Sequence, residues 1–125
     1  MTVIISVVNH NIEFGGETTN GNVTRHPGQP IDFESENPFA IFFKAAARWP
    51  ARRPRRQYRL ALIVNPPSPD DSNDVVMCSK FKNGMHRLKM KLKGSLQQGA
   101  IYWYGVAVFD PPLNIATIDP QIIIN

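Results

Sequence analysis

Four side chains able to do metal or redox chemistry crowd into residues 78–90: Cys78, Met85, His86 and Met90. A thiolate, an imidazole and thioethers are the soft donor set that copper takes. They would have to converge on one ion, and no ligand spacing in this stretch brings them together. The sequence better supports a buried core thiol, a histidine in a turn and two methionines that fill gaps in a core. The apolar neighbours Val76, Met77 and Phe81 also suggest an unreactive, buried Cys78. His10 and His26 stand next to turn residues and are expected at the surface. No metal and no cofactor is expected.

Catalytic patterns are equally thin. The chain has no Gly-x-Ser-x-Gly elbow, no His-Glu-x-x-His pair, no phosphate-cradling glycine loop and no dinucleotide fingerprint. Cys78 with His86 or His26 is the kind of dyad that any chain with one cysteine and three histidines offers. Asp32, Glu34 and Glu36 alternate along one strand face. Paired acids can move protons, but such a face is more commonly just solvated. The expectation is a protein that is not an enzyme.

Charge is the one feature that rises above fold. The formal net charge is +4 and the pI about 9.5. Six of the fourteen Lys and Arg residues lie between Arg48 and Arg59, and six more between Lys80 and Lys93. Arg87, Lys89, Lys91 and Lys93 project from one face of one strand, about 6.6 Å apart. Lys80 and Lys82 share a face of the preceding strand if Asn83-Gly84 closes a hairpin. Arg48, Arg52, Arg53, Arg55 and Arg56, with Trp49 and Tyr58 beside them, add guanidinium groups and stacking surfaces suited to phosphates and bases. The acids sit elsewhere in the sequence, so one basic region could face a polyanion such as nucleic acid, an acidic glycan or anionic lipid. The plainer use of outward lysines is to keep a sheet soluble and its edge unpaired.

Strands must position these residues. Period-two or apolar runs fall at 2–8, 22–25, 31–34, 39–44, 58–64, 75–81, 87–93, 100–109 and 115–124. Residues 87–93 alternate most regularly, with Leu88, Met90 and Leu92 inward. Gly15-Gly16, Asn20-Gly21, Pro27-Gly28 and Asn83-Gly84 are turn signals, the second and fourth of hairpin type. Residues 45–49 could form one helical turn, 50–56 a basic loop and 65–74 a plain loop. About eight short strands with so little helix predict an all-β, antiparallel two-sheet sandwich or barrel rather than βαβ units. The Phe39/Ile41/Phe43 and Tyr102/Tyr104/Val106/Val108 sets are expected on its inner faces, with Trp103 either packed or a contact residue.

The chain has 125 residues, the size of one domain able to bury a core without metal or disulfide. A lone cysteine suits a reducing compartment, so the cytoplasm is the expected location. The apolar start lasts about seven residues, without the charged leader of a signal peptide or the roughly 20 apolar residues of a membrane span. Asn22-Val23-Thr24 fits a glycosylation triplet, a pattern that arises often by chance.

The order of signals resembles small bacterial cupredoxin-like Greek-key sandwich domains that lack copper. The resemblance rests on His26-Pro27-Gly28-Gln29-Pro30-Ile31-Asp32-Phe33 and on Phe39-Ala40-Ile41-Phe42-Phe43. It rests also on Gly99, Tyr102, Tyr104, Val106 and Val108 in a Gly-x-x-Tyr-x-Tyr-x-Val-x-Val pattern, and on the closing stretch 119–124. About half the chain is covered, by packing and turn motifs; an immunoglobulin-like sandwich would show much of the same pattern. In a copper-binding member, ligands would stand at 109–114 and near 37–39. Neither stretch has a Cys, His or Met. The resemblance implies a Greek-key sandwich of uncharacterised function. The expected function is a non-enzymatic binding or interaction module whose partner is an unknown protein or a second copy of the chain, with polyanion binding as the alternative.

Overall fold

The structure, a computed structural model, describes residues 1–44, 74–110, 113–117 and 120–125. The expected helical turn at 45–49, the basic loop at 50–56, the strand at 58–64 and most of the 65–74 loop lie outside the described residues. All regular elements within them are strands: β1 (Thr2–Val8), β2 (Asn11–Gly16), β3 (Val23–Arg25), β4 (Pro30–Ser35), β5 (Phe39–Lys44), β6 (Asp74–Cys78), β7 (Lys80–Lys82), β8 (Met85–Lys91), β9 (Ile101–Trp103), β10 (Gly105–Asp110), β11 (Leu113–Thr117) and β12 (Gln121–Ile124). They form a five-stranded sheet in the order β2-β1-β4-β8-β7. A four-stranded sheet runs β11-β10-β5-β6, and a three-stranded sheet β3-β12-β9.

The all-β expectation holds, while the strictly antiparallel one is corrected. β4 lies parallel to β1, and β3 parallel to β12. The path of the chain explains it. Asn9 and His10 adopt φ of 51° and 63° and close the β1–β2 hairpin, a two-residue turn of the type that matches strand twist. The chain then crosses to another sheet as β3. The Pro27-Gly28 turn, with Gly28 at φ 86° and Gln29 N–H donating to His26 C=O at 3.2 Å, returns it as β4 beside β1 in the same direction. Asn20-Gly21, expected as a hairpin turn, instead joins strands of different sheets. Asn20 Oδ1 accepts there from Asn22 N–H at 2.9 Å.

Three runs that read as single strands are cut where the chain changes sheet. Residues 75–81 break at Ser79, whose N–H donates to Phe39 C=O at 2.8 Å and whose Oγ accepts from Phe39 N–H at 3.0 Å. Residues 100–109 break at Tyr104, whose N–H donates to Pro120 C=O at 3.1 Å. Residues 115–124 divide into β11 and β12, which belong to different sheets. In-and-out alternation survives the cuts at Ser79 and Tyr104.

The core joins the sheets. Val3, Phe33 and Leu88 stand in one cross-strand row, and Ile31 and Met90 in the next. Val106 faces Ile41, and Val108 faces Phe39. Ile122 lies between Val23 and Tyr102. All of these are buried except Leu88, which is half-buried against them. Each large apolar side chain removed from water contributes about 1.5–3 kcal/mol. Tyr104 ties the layers: its ring meets Phe33 edge-on at 5.8 Å, and its O–H donates to Gly21 C=O. Burial pushes the Tyr104 hydroxyl's pKa well above the ordinary tyrosine value.

Candidate functional site: the β7–β8 hairpin

Asn83 (φ 52°) and Gly84 (φ 80°) form the predicted two-residue hairpin turn, pairing Lys82 with Met85, Phe81 with His86 and Lys80 with Arg87. This brings four of the predicted basic residues, Lys80, Lys82, Arg87 and Lys89, onto one outward face. They line an open groove of about 470 Å³ together with Asp32 and Glu34 of β4. Lys91 is exposed further along β8, opposite Pro30. Lys93 lies beyond the strand and is half-buried, its carbonyl accepting from Gly28 N–H at 3.1 Å. The basic residues of β8 therefore form a line, about 13 Å from Arg87 to Lys91 at strand rise, rather than a cluster. Arg48, Arg52, Arg53, Arg55 and Arg56 lie outside the described residues.

The division of charge seen along the sequence does not survive folding. β4 pairs with β8, so Glu34 stands opposite Arg87 and Asp32 opposite Lys89. Arg87 Nη1 and Glu34 Oε1 are 2.7 Å apart. Cross-strand opposite charges of this kind stabilise a sheet by about 0.2–1 kcal/mol per pair, and they consume part of the positive field. Beyond β8 the balance changes. Lys80 and Lys82 on β7 have no ion-pair partner among the described residues.

The other face of the hairpin carries what sequence reasoning missed. His86 is not in a turn; it lies on β8, and its ring packs against Phe81 at a centroid distance of 5.1 Å and an interplanar angle of 60°. Phe81 is 67% exposed, and all three residues of β7 face solvent. The row Phe14–Ile5–Ser35–His86–Phe81 continues the inner face of the sheet past the core. Alternation from Lys80 to Lys82 could have indicated that Phe81 faces the other way. Its exposure depends on where the sheet ends.

Cys78, expected in the core, is exposed. It ends β6 on the face opposite Met77, which pairs with buried Ile41, just before the chain leaves that sheet at Ser79. Cys78 and His86 belong to different sheets. Among the described residues no three His, Cys, Asp or Glu side chains gather as a metal site.

A second depression, about 360 Å³, is lined by Met1, Thr24, Arg25, Gln29, Pro30 and Asp32. Its arginine is already committed. Arg25 Nη1 donates to Glu17 Oε2 at 2.8 Å and to Thr24 C=O at 2.9 Å, Nη2 donates to Glu17 Oε1, and Nε donates to Pro30 C=O at 2.9 Å. These bonds hold the Glu17 carboxyl below its ordinary pKa, against a smaller opposing effect of burial. The pair is a clamp between the end of β2, β3 and β4. At the far end of the molecule, Phe109 N–H donates to Pro38 C=O at 2.9 Å, and Asn37 Nδ2 donates to Phe109 C=O at 3.3 Å.

Compared with protein-family models, curated proteins and solved structures, the chain matches none.

Proposed function

We propose that this chain is a non-enzymatic binding module, a Greek-key sandwich of the cupredoxin-like or immunoglobulin-like kind, whose contact surface is the β7–β8 hairpin. The observation that carries the reading is Phe81, 67% exposed between two lysines on a three-residue strand that ends its sheet among the described residues. Aromatic side chains are the usual anchors of protein contacts, because they bury much area at little conformational cost. Binding rather than catalysis is supported by the placement of Cys78 and His86 in different sheets and by the ion pair that commits Glu34 to Arg87. The cupredoxin-like architecture is supported by the hydrogen bonds joining 37–38 to Phe109, segments that the resemblance would place side by side. The exposed lone thiol fits a reducing cytoplasm.

The partner in this reading is a protein. A polyanion is the second reading, favoured by Lys80 and Lys82, which extend the cationic side of the groove beyond the reach of the β4 carboxylates. The two separate in one experiment. The immobilised chain is compared with Phe81→Ser and with Lys80→Ser/Lys82→Ser, each first shown to be folded by circular dichroism. A protein retained by the native chain and lost from Phe81→Ser supports the main reading; equal retention by both contradicts it. Heparin retention that falls steeply with salt and disappears in the lysine variant supports the polyanion reading; its absence at low salt removes that reading.

A further inference from the structure

We propose that β7 accepts one more strand, from an extended partner segment in which an apolar residue is flanked by two acidic ones. This rests on the binding reading above and names the partner's chemistry.

Hairpin geometry fixes what the edge offers. In a two-residue hairpin the pair flanking the turn, here Lys82 and Met85, exchanges backbone hydrogen bonds. The next pair, Phe81 and His86, is therefore non-hydrogen-bonded, and the one after, Lys80 and Arg87, is bonded again. Phe81 N–H and C=O consequently point away from β8, toward the side of the sheet where no further strand lies among the described residues. An incoming antiparallel strand would place one residue opposite Phe81, bonded to it through both backbone groups. That residue's side chain would lie on the Phe81 face, and its two neighbours would lie opposite Lys80 and Lys82.

Charge selects the sequence of that segment. Across the outer face one row reads Glu34, Arg87, Lys80. Negative meets positive once, and then two positive side chains stand adjacent at the edge. An acidic residue beyond Lys80 would restore the alternation, and a second beyond Lys82 would neutralise the other unpaired cation. On the opposite face Phe81 and His86 present an apolar surface that one aliphatic side chain would cover. The same arithmetic disfavours this pairing between two copies of β7. Two β7 strands pairing antiparallel about Phe81 would set Lys80 against the Lys82 of the other copy, and like charges directly opposite are destabilising. Strand addition is a recurrent mode of peptide recognition, in which main-chain bonds give affinity and alternate side chains give selectivity.

The test uses a fluorescent peptide, acetyl-Ser-Thr-Glu-Val-Glu-Thr-Ser-amide, titrated with the intact chain by anisotropy. Three comparisons accompany it: the same peptide with lysine for both glutamates, one with N-methylvaline at the centre, and the Lys80→Glu/Lys82→Glu variant. Saturable binding of the acidic peptide is expected. It should weaken by about tenfold or more with N-methylvaline, because a backbone donor is lost and a methyl group intrudes. The charge-reversed variant should prefer the lysine peptide. The Phe81 amide should become protected from hydrogen exchange on binding. Equal affinity of the N-methylated peptide, or an unprotected Phe81 amide, overturns strand addition. Partner capture that depends on Phe81, without peptide binding, overturns it too but leaves the binding surface standing. Failure of both removes the two together.

Discussion

Gly105 begins β10 opposite Phe42 of β5. A Cβ added there would stand 2.2, 2.4 and 2.7 Å from three atoms of the Phe42 ring, where ordinary contact begins near 3.4 Å. The ring or the strand must therefore retreat by 3.4 minus 2.2, about 1.2 Å. The backbone sets no obstacle, since Gly105 is not among the positive-φ glycines. Without the clash, Gly105→Ala would stabilise by about 0.4–1 kcal/mol through the unfolded state. With it, the expected change is a loss of about 1–3 kcal/mol, the usual cost of overpacking. For a domain of this size that lowers Tm by roughly 4–12 °C. Urea and thermal unfolding followed by circular dichroism measure it. The control is the same substitution in a Phe42→Ala background, where the opposing ring is gone and the cost should fall below about 0.5 kcal/mol. A stabilising Gly105→Ala, or an equal cost in both backgrounds, would refute the packing of glycine under Phe42 where the chain leaves one sheet for another.

Glu17→Gln should cost about 1.5–3 kcal/mol, the range for hydrogen bonds to a charged group, because the Glu17 and Arg25 side chains are only 6% and 13% exposed. The Glu17 pKa is lowered from 4.5 in the folded state. The clamp's contribution is thus fully present above that ordinary value and is lost as pH falls through the depressed one. The urea midpoint of the native chain should fall across that acidic range, and that of Glu17→Gln should fall less; parallel profiles would contradict the clamp. Cys78 should react with a thiol reagent at one equivalent within minutes in the native state, because it is exposed. Reaction only after denaturation would restore the buried thiol.

The sequence carried the strand content because alternation is local. Leu88, Met90 and Leu92 point inward or partly inward, Tyr102, Tyr104, Val106 and Val108 are buried, and Asn83-Gly84 closes its hairpin. Breaks at Ser79 and Tyr104 left no local trace, since each residue keeps its inward or outward sense while its hydrogen-bonding neighbour changes. The parallel placement of β4 beside β1 was hidden for the same reason: pairing order is a property of distant segments. The site was half visible. Lys80, Lys82, Arg87 and Lys89 were legible as basic strand faces, but the β4 carboxylates that stand opposite Arg87 and Lys89 come from a distant segment of the chain. The exposure of Phe81 follows from where its sheet ends among the described residues, which no local pattern records, and that of Cys78 from its place on the face opposite Met77.

The most direct test of a β7–β8 contact surface is an amide chemical-shift map of the chain, recorded as the acidic peptide and, separately, a short heparin oligosaccharide are added. At least one of the two should bind, with the largest shifts between Ser79 and Lys89 and smaller ones on β4. Shifts confined to the Arg25 depression, or no shift at Lys80, Phe81 and Lys82 with either ligand, would contradict the account.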